Sequence, residues 1–366
     1  MTDVTITAID TITVRIPLDI WAPPPMASNG ARRTHIEGLY VRVTTSNGII
    51  GWGETFGTAR PMVLAAYEHY IRRVAIGQPA TDRGLVPRIE RMFLSMGRSG
   101  PVAAALAGLD IALWDLWGKL EGVSVATLLG GAKRRQLECY ASLLQYYANA
   151  DHLKQNTTRA LERGFKWIKL HERTADAVAV SREAIGPDIP LMVDTNCAWS
   201  VTEAEPAIMA MKASNPYWVE EPVYPPEDFD GQAMIRKNTG VPLGMGENAT
   251  SGRDFAQMVS TGAADFVQPS IVKLGGISGV SRVAANVEKM GAECVPNGFY
   301  LGPGYLAMLH CMAVKEKTSP AERIFADFGV TPYARTVPVE NGSVQIPEGP
   351  GLGADPEPEL LEKFKI

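Results

Sequence analysis

Cysteine is scarce in this 366-residue chain, and its four cysteines lie far apart, without the close spacing of metal fingers or disulfide frameworks: Cys139, Cys197, Cys294 and Cys311. Scattered thiols of this kind favour a reduced, cytoplasmic protein. An excess of basic residues is also lacking, since the formal net charge is -5. A chain without a basic footprint is not expected to bind nucleic acid.

Long hydrophobic runs are missing as well. Residues 1–10 lack the basic start and the apolar stretch of a signal peptide. The most apolar segment, residues 101–117, is interrupted by Asp110 and Asp115, whereas a helix that crosses a bilayer needs about 20 predominantly apolar residues. The sequence therefore predicts a protein without a membrane span.

The residues that are present indicate a folded protein with two parts. The chain is longer than the size at which one core usually keeps growing, and its 46% hydrophobic and 20% charged residues are ordinary for globular proteins. Over residues 1–125, alternating strand patterns and an Asn47-Gly48 hairpin turn precede helical patterns at 62–74 and 102–119. This order predicts an N-terminal α+β domain.

From residue 137 onward, short apolar runs alternate with helix-like segments. Such alternation indicates a parallel sheet, and seven or eight units of this kind indicate a TIM-type barrel. The main alternative is a doubly wound open sheet, but no glycine-rich nucleotide fingerprint follows any strand. The runs are LECYASL (137–143), WIKLHE (167–172), LMVDTN (191–196), YWVEEP (217–222), PLGMGE (242–247), DFVQPS (265–270) and AECVPNG (292–298).

Ionisable and amide side chains collect at the carboxyl ends of four consecutive predicted strands. In a barrel these ends converge on one mouth, and carboxylates placed together repel unless a cation lies between them or some are protonated. Asp194, Glu220 and Glu247 offer only oxygen ligands, the preference of Mg²⁺ or Mn²⁺; the alternative is pairing with Lys or Arg. The four end pairs are Lys169 with His171, Asp194 with Asn196, Glu220 with Glu221, and Glu247 with Asn248.

Lys169 and His171 are two residues apart on one strand, so both side chains are expected to face the barrel interior. A neutral imidazole is a competent general base near neutral pH, and a neighbouring cation favours the neutral form. We therefore interpret His171 as the candidate base, with Lys169 beside it as a second catalytic candidate. A purely structural histidine is the competing interpretation.

Motifs spread over nearly the whole chain resemble those of the mandelate racemase and muconate lactonizing enzyme branch of the enolase superfamily. Each motif alone is weak, whereas their order and spacing together are specific. They are GWGET (51–55), LAGLDIALWDLWGK (106–119), LLGG (128–131), GFKWIKLHE (164–172), VDTN (193–196), WVEEP (218–222), MGEN (245–248) and VKLGGISG (272–279).

The resemblance implies an N-terminal capping domain over a modified (β/α)7β barrel, with the barrel at residues 126–330 and residues 331–366 returning to the cap. It also implies that Asp194, Glu220 and Glu247 hold Mg²⁺, which binds the substrate carboxylate and stabilises the enediolate formed when the α-proton leaves. Association into a homo-oligomer is implied in the same way.

Three positions depart from the family pattern. His171 stands where this branch usually has a second lysine, Ser270 where the sixth strand carries Asp or Lys, and Asn297 where the seventh strand of racemase-like members carries His. Neither Ser270 nor Asn297 is a strong proton acceptor. Because a racemase needs a base on each face, and this chain shows ionisable candidates on one face only, a one-base elimination is favoured.

The leading prediction is therefore a hydro-lyase that dehydrates a small hydroxylated carboxylate such as a sugar acid. A lactone cycloisomerase, a racemase or epimerase, and a catalytically silent protein that binds a metal and a sugar acid remain alternatives. Further candidate residues that bind substrate or support the metal ligands are Asn196, Glu221, Lys273, Asn297, Ser270 and Glu322.

Substrate selection is assigned to a proline- and glycine-rich loop at residues 19–33. Trp21 and Met26 are expected to close over the substrate and exclude water. Arg32 and Arg33 are candidates for binding a second anionic group, as in a diacid, against the alternative that both face solvent. Residues that follow strands and are expected to line the pocket are Tyr146, Trp199 and Tyr300.

Overall fold

The computed structural model describes residues 4–26, 30–249, 251–317, 319–335 and 337–366. Its strands are β1 (Ile6–Pro17), β2 (His35–Thr45), β3 (Ile50–Thr55), β4 (Gln136–Leu143), β5 (Ile168–Leu170), β6 (Leu191–Asp194), β7 (Trp218–Glu220), β8 (Leu243–Met245), β9 (Phe266–Val267), β10 (Glu293–Cys294), β11 (Ala321–Phe325), β12 (Val339–Glu340) and β13 (Ser343–Gln345). Its α-helices are α1 (Arg60–Ala66), α2 (Arg72–Ala75), α3 (Leu85–Met92), α4 (Pro101–Glu121), α5 (Val125–Leu128), α6 (Ala150–Glu162), α7 (Ala175–Ile185), α8 (Val201–Met211), α9 (Phe229–Thr239), α10 (Gly252–Ser260), α11 (Gly276–Lys289), α12 (Pro303–Ala313) and α13 (Pro358–Phe364).

The N-terminal part is a three-stranded antiparallel sheet, in the order β1-β2-β3, against which α4 packs. A Cβ atom at Gly53 of β3 would lie 2.0 Å from the carbonyl oxygen of Gly108, so this close approach requires glycine. Within the described residues, α4 alone has the length and composition of a membrane span, but 83% of its most apolar 18-residue window is buried inside the protein. Its apolar surface is used in the core.

Eight parallel strands, β4 to β11, form the second part, and helices α6 to α12 connect them in alternation. Their hydrogen-bonded order is β11-β4-β5-β6-β7-β8-β9-β10. β11 and β10 are the two ends of this order. Between them, Glu322 of β11 accepts hydrogen bonds from Asn297 and Gly298, which follow β10, at 2.9 and 2.8 Å. This architecture confirms the predicted (β/α)7β barrel with an N-terminal α+β cap. The antiparallel pair β12-β13 extends the sheet from β4.

The barrel strands are shorter than the apolar runs that predicted them. The run DFVQPS contributes only Phe266–Val267 to β9, and AECVPNG contributes only Glu293–Cys294 to β10. Pro269 and Pro296 lie shortly after these strands and lack the N–H group that a ladder needs. A single parallel bridge between Ser270 and Asn297 then continues the pairing at the mouth of the barrel.

Side-chain caps begin several barrel helices directly after the loops at the mouth. Asn149 accepts a hydrogen bond from the backbone N–H of His152 at the start of α6 (3.0 Å), and Asp228 accepts one from Gly231 at the start of α9 (2.9 Å). Each cap satisfies an N–H group that the first helical turn leaves without a partner. The loops that carry site residues therefore end at defined positions.

The C-terminal residues contact the N-terminal part. Buried Asp115 of α4 accepts hydrogen bonds from the backbone N–H groups of Trp52 (2.8 Å) and Leu352 (2.7 Å). The N–H of Ile366 donates to the carbonyl of Thr13 in β1 at 3.0 Å. These contacts tie the two ends of the chain together, while the domain boundaries at residues 125 and 330 remain a prediction.

Candidate active site

Three carboxylates from neighbouring strands meet at the mouth of the barrel. Asp194 ends β6, Glu220 ends β7, and Glu247 follows β8 after Gly246, whose φ of +123° suits glycine. One oxygen of each acid lies within 4.8 Å of the other two. The second oxygen of Asp194, Oδ1, accepts a hydrogen bond from the N–H of Asn196 at 2.9 Å, and the side chain of Asn196 is exposed.

A buried lysine lies among these acids. Lys169 of β5 is 1% exposed, and its Nζ lies 3.3 Å from Asp194 Oδ2, 3.0 Å from Glu220 Oε1 and 2.9 Å from Glu322 Oε1. Burial disfavours the ammonium, but the surrounding carboxylates outweigh it and raise the pKa of Lys169 well above its usual value. Lys169 is thus a fixed cation. It has no lone pair to take a proton at neutral pH, which argues against it as the base.

One lysine does not balance the charge of this cluster, which includes the carboxylates Asp194, Glu220, Glu221, Glu247 and Glu322. Burial and the neighbouring acids raise the pKa of Glu220 well above its usual range despite Lys169. Burial, with the charges of Glu247 and Asp194, raises the pKa of Glu221 to about 7. A divalent cation offsets such an excess of negative charge, and oxygen-only donors suit Mg²⁺ or Mn²⁺. The residues present fit such an ion.

His171 directly follows β5 and faces the same acids. Its Nδ1 lies 2.6 Å from the backbone carbonyl oxygen of Leu143, and since a carbonyl can only accept, Nδ1 carries the hydrogen. In the neutral ring the lone pair is then on Nε2, which lies 3.2 Å from Asp194 Oδ2. Burial opposes protonation, but the charge and hydrogen bond of Asp194 raise the pKa of His171 above its usual value. Nε2 is the atom placed to take a proton.

Glu221 and Lys273 hold the loop that carries Glu247. Glu221 accepts a hydrogen bond from the side-chain amide of Asn248 at 2.6 Å and one from the backbone N–H of Gly246 at 3.2 Å. Lys273 Nζ donates to the backbone carbonyl of Glu247 at 3.0 Å. These bonds fix the backbone on both sides of Glu247, so its carboxylate is held toward the other two acids.

Glu322 of β11 connects the first and last strands of the barrel. Its Oε1 lies 2.9 Å from Lys169 Nζ and accepts a hydrogen bond from Ser142 Oγ at 2.8 Å. Its Oε2 accepts from Asn297 Nδ2 at 2.9 Å, and the same Nδ2 donates to Glu247 Oε2 at 3.1 Å. Glu322 therefore positions Lys169 and Asn297 at the edge of the acid cluster.

Ser270, Asn297 and Tyr300 form a hydrogen-bonded group on the other side of the acids from His171. The Tyr300 hydroxyl is hydrogen-bonded to Ser270 Oγ and donates to Asn297 Oδ1 at 3.0 Å. We expected Tyr300 only to line the pocket, and we expected ionisable candidates on one face only. The second expectation overlooked this phenol. The one available signal was that Tyr300 lies three residues after Asn297.

The cap loop reaches the barrel mouth through Met26 and Arg33. The backbone N–H of Met26 donates to the hydroxyl of Tyr147, in the loop after β4, at 2.5 Å. The half-buried Arg33 guanidinium lies 5.4 Å from the ring centre of Phe299. Burial lowers the pKa of Arg33, and the nearby carboxylate of Glu247 opposes this shift. Arg32 is exposed. Residues 27–29 of this loop lie outside the described residues.

Other residues expected around the pocket take different positions. Arg159 and Arg163 both lie 4.6 Å from the ring centre of Trp21, so this ring is held against the barrel rather than free to close over a substrate. Tyr146 is 4% exposed. Trp199 is half-buried, and its N–H donates to the carbonyl of Pro222 at 3.1 Å.

Known protein families match both parts of the chain. Residues 9–130 match "Mandelate racemase / muconate lactonizing enzyme, N-terminal domain", and residues 152–360 match "Enolase C-terminal domain-like". The chain is 33% identical over 356 residues to the D-galactarolactone cycloisomerase of Agrobacterium fabrum, with 92% of each chain covered. It is 27% identical to the D-gluconate dehydratase of Thermoproteus tenax, over 89% of this chain and 69% of that protein.

A solved structure of a racemase from Streptomyces coelicolor with bound magnesium superposes with a TM-score of 0.85 at 26% identity, covering 99% of this chain and 100% of that chain. The chain therefore belongs to the mandelate racemase and muconate lactonizing enzyme branch of the enolase superfamily, as its motifs predicted, and it is an enzyme. Its cofactor is Mg²⁺, because the relative carries this ion and the acid triad offers the oxygen ligands that the ion prefers.

Proposed function

We propose that the protein is a magnesium-dependent dehydratase of sugar acids. Such a hydro-lyase removes the proton on the carbon next to a carboxylate and expels the hydroxyl group from the following carbon. The observation that carries the proposal is the position of His171, whose Nε2 lies 3.2 Å from Asp194 Oδ2 at the edge of the acid triad. A single strong base beside a metal site is sufficient for this elimination.

Each residue of the site has a defined part in this reaction. Nε2 of His171 takes the α-proton, while the Leu143 carbonyl keeps the ring in the required tautomer. Lys169 remains charged and holds Asp194 and Glu220 by ion pairs. When bound at Asp194, Glu220 and Glu247, Mg²⁺ supplies positive charge that stabilises the enediolate form of the substrate.

Racemisation has less support from these residues. A racemase needs a proton acceptor on both sides of the α-carbon, and Ser270 and Asn297 are not acceptors of that strength. Tyr300, on the same side, has a pKa raised well above its usual value by burial, so it is a proton donor at neutral pH.

A lactone cycloisomerase is the second candidate, favoured by the 33% identity to the D-galactarolactone cycloisomerase of Agrobacterium fabrum. The same first step serves both reactions. If the oxygen that leaves belongs to a ring of the substrate, elimination opens the ring and no atom is lost, so the product is an isomer. If the oxygen is a free hydroxyl, water is lost.

Arg33 supports a dicarboxylate as the substrate class. No ion pair of its guanidinium is found within the described residues, although the group is half-buried near Glu247. Partial burial of a guanidinium without a carboxylate partner is unfavourable, and a distal substrate carboxylate supplies that partner with charge-assisted hydrogen bonds. The proposal also includes a homo-oligomer in the cytoplasm that binds neither nucleic acid nor membrane, and size-exclusion chromatography tests the oligomer.

The test is a screen of purified protein with Mg²⁺ against aldonates, aldarates and their lactones, followed by ¹H NMR. We expect a 2-keto-3-deoxy acid, whose formation stops with a chelator, resumes when Mg²⁺ is restored, and is absent in His171→Asn. Conversion of a lactone to an isomer of equal mass would favour the second candidate. Solvent deuterium at Cα with inversion and no elimination would contradict both, and tight binding without turnover would indicate a silent binding protein.

A further inference from the structure

The hydrogen-bonded group of Ser270, Asn297 and Tyr300 lies on the opposite side of the metal ligands from His171. His171 follows β5, the three acids come from β6, β7 and β8, and Ser270 and Asn297 follow β9 and β10. A carboxylate substrate at the acids therefore lies between His171 and Tyr300. We propose that Tyr300 is a catalytic residue that donates its hydroxyl proton to the oxygen leaving from the β-carbon.

The hydrogen bonds around Tyr300 determine where its proton lies. Asn297 turns its Nδ2 toward the carboxylates of Glu247 (3.1 Å) and Glu322 (2.9 Å), which can only accept from it. Oδ1 of Asn297 must then face Tyr300, and because Oδ1 is an acceptor, the Tyr300 hydroxyl is the donor in the 3.0 Å bond between them. The network thus holds a protonated phenol whose hydrogen is directed to Asn297 Oδ1, and the same Asn297 side chain contacts Glu247 of the acid cluster.

The position of this phenol is fixed by its backbone as well as by its hydroxyl. The N–H of Tyr300 donates to the carbonyl of Gly298 at 2.7 Å, and the hydroxyl is also hydrogen-bonded to Ser270 Oγ. Tyr300 is 6% exposed. Burial and the nearby carboxylates keep its pKa well above the usual value, so the group does not lose its proton before an oxygen of rising negative charge is present.

The proposed step is balanced as follows. His171 Nε2 removes the α-proton, and the C–H electron pair is first held in the enediolate of the substrate carboxylate. In the second step this pair forms the double bond between the α- and β-carbons. The bond between the β-carbon and its oxygen breaks with its electron pair on oxygen, and the Tyr300 proton joins that oxygen, which leaves as water or, from a lactone ring, as a carboxylic acid group. His171 then releases its proton to solvent, and Tyr300 regains one from solvent when the product leaves.

This inference rests on the proposed elimination, so the test separates proton removal from departure of the leaving group. Wild type and Tyr300→Phe are incubated in D2O with Mg²⁺ and the sugar acid identified by the screen, and recovered substrate and product are analysed by NMR. In the variant we expect elimination to fall at least about a hundredfold, while deuterium enters the α-position of recovered substrate because the first step continues. Tyr305→Phe, which removes another buried phenol hydroxyl, is the control and should match wild type.

A second substrate separates catalysis from a structural effect. The 3-deoxy-3-fluoro analogue of the same sugar acid releases fluoride, which leaves without needing a proton, so Tyr300→Phe should release fluoride at a rate within a few fold of wild type. Equal losses of α-exchange, elimination and fluoride release in the variant would overturn the role of Tyr300, as would unchanged elimination. If wild type itself showed neither exchange nor elimination with any sugar acid, the proposed function would be wrong, and this inference with it.

Discussion

Glu54, near the end of β3, is a buried carboxylate between the cap and the barrel. It is 4% exposed, and its Oε2 accepts a hydrogen bond from the N–H of Gly304, in the first turn of α12, at 2.9 Å. Burial raises the pKa of Glu54 from 4.5 to about 7, and the backbone hydrogen bonds of Gly304 and Gly302 offset this only in part. The folded protein therefore binds a proton at Glu54 more tightly than the unfolded chain does.

The sign of the resulting pH dependence follows from this raised pKa. The stabilising contribution of the Glu54 proton is fully present below pH 4.5 and is lost as the pH rises to about 7. The interval between these two values corresponds to about 3 kcal/mol in the free energy of unfolding. Glu54→Gln has the same shape and carries no charge, and its amide oxygen still accepts from Gly304. The variant therefore does not lose this unfolding free energy as the pH rises.

Urea unfolding of wild type and Glu54→Gln, both with chelator, measures this effect. At about pH 5 we expect the variant to be more stable by less than about 1 kcal/mol, and at about pH 8 by about 3 kcal/mol. Glu183→Gln, on the exposed face of α7, is the control and should follow wild type at both pH values. A stability difference that does not change between the two pH values would refute the reasoning.

Three further substitutions test the site. His171→Asn should lower kcat at least about a hundredfold, since general base catalysis contributes about 10²–10⁴-fold. Calorimetry should show that this variant binds Mg²⁺ as wild type does. An unchanged kcat would exclude His171 as the base. Arg33→Met should raise KM about tenfold or more for an aldarate but not for an aldonate, because a hydrogen bond to a charged group contributes about 1.5–3 kcal/mol. Substitution of the exposed Arg32 by Met should change neither KM. Equal effects of Arg33→Met on both substrate classes would contradict the diacid assignment. Lys169→Met should lower the free energy of unfolding in chelator by about 3–5 kcal/mol, because it leaves buried carboxylates without their cation. Added Mg²⁺ should restore part of the lost unfolding free energy. A variant as stable as wild type in chelator would contradict the role of Lys169.

The acid triad was predictable from the sequence because strand periodicity places it. Asp194, Glu220 and Glu247 each lie at or just after the end of a short apolar run, and the carboxyl ends of parallel strands always meet at one edge of the sheet. The alternation of runs with helical segments predicted the barrel for the same reason. Neither inference required knowledge of a loop conformation.

Contacts made by loops and by distant strands were not predictable in this way. The ion pair of Lys169 with Glu322 depends on β11 pairing with β4, more than 170 residues away in sequence. The hydroxyl of Tyr300 reaches Ser270 and Asn297 from a tight turn in the loop after β10, in which the N–H of Tyr300 donates to the carbonyl of Gly298. Side-chain positions such as that of Trp21 depend on stacking partners that follow no periodic pattern.

Magnesium binding by the acid triad is the claim on which the proposed chemistry depends, and isothermal titration calorimetry of Mg²⁺ measures it most directly. We expect wild type to bind a single ion per chain and each of Asp194→Asn, Glu220→Gln and Glu247→Gln to bind it at least about a hundredfold more weakly, since even residues that only support metal ligands contribute about 10–100-fold. Glu172→Gln, whose carboxylate accepts from the backbone N–H groups of Tyr146 and Ala148 instead, should bind the ion as wild type does. Wild-type Mg²⁺ affinity in any of the three triad variants would contradict the site.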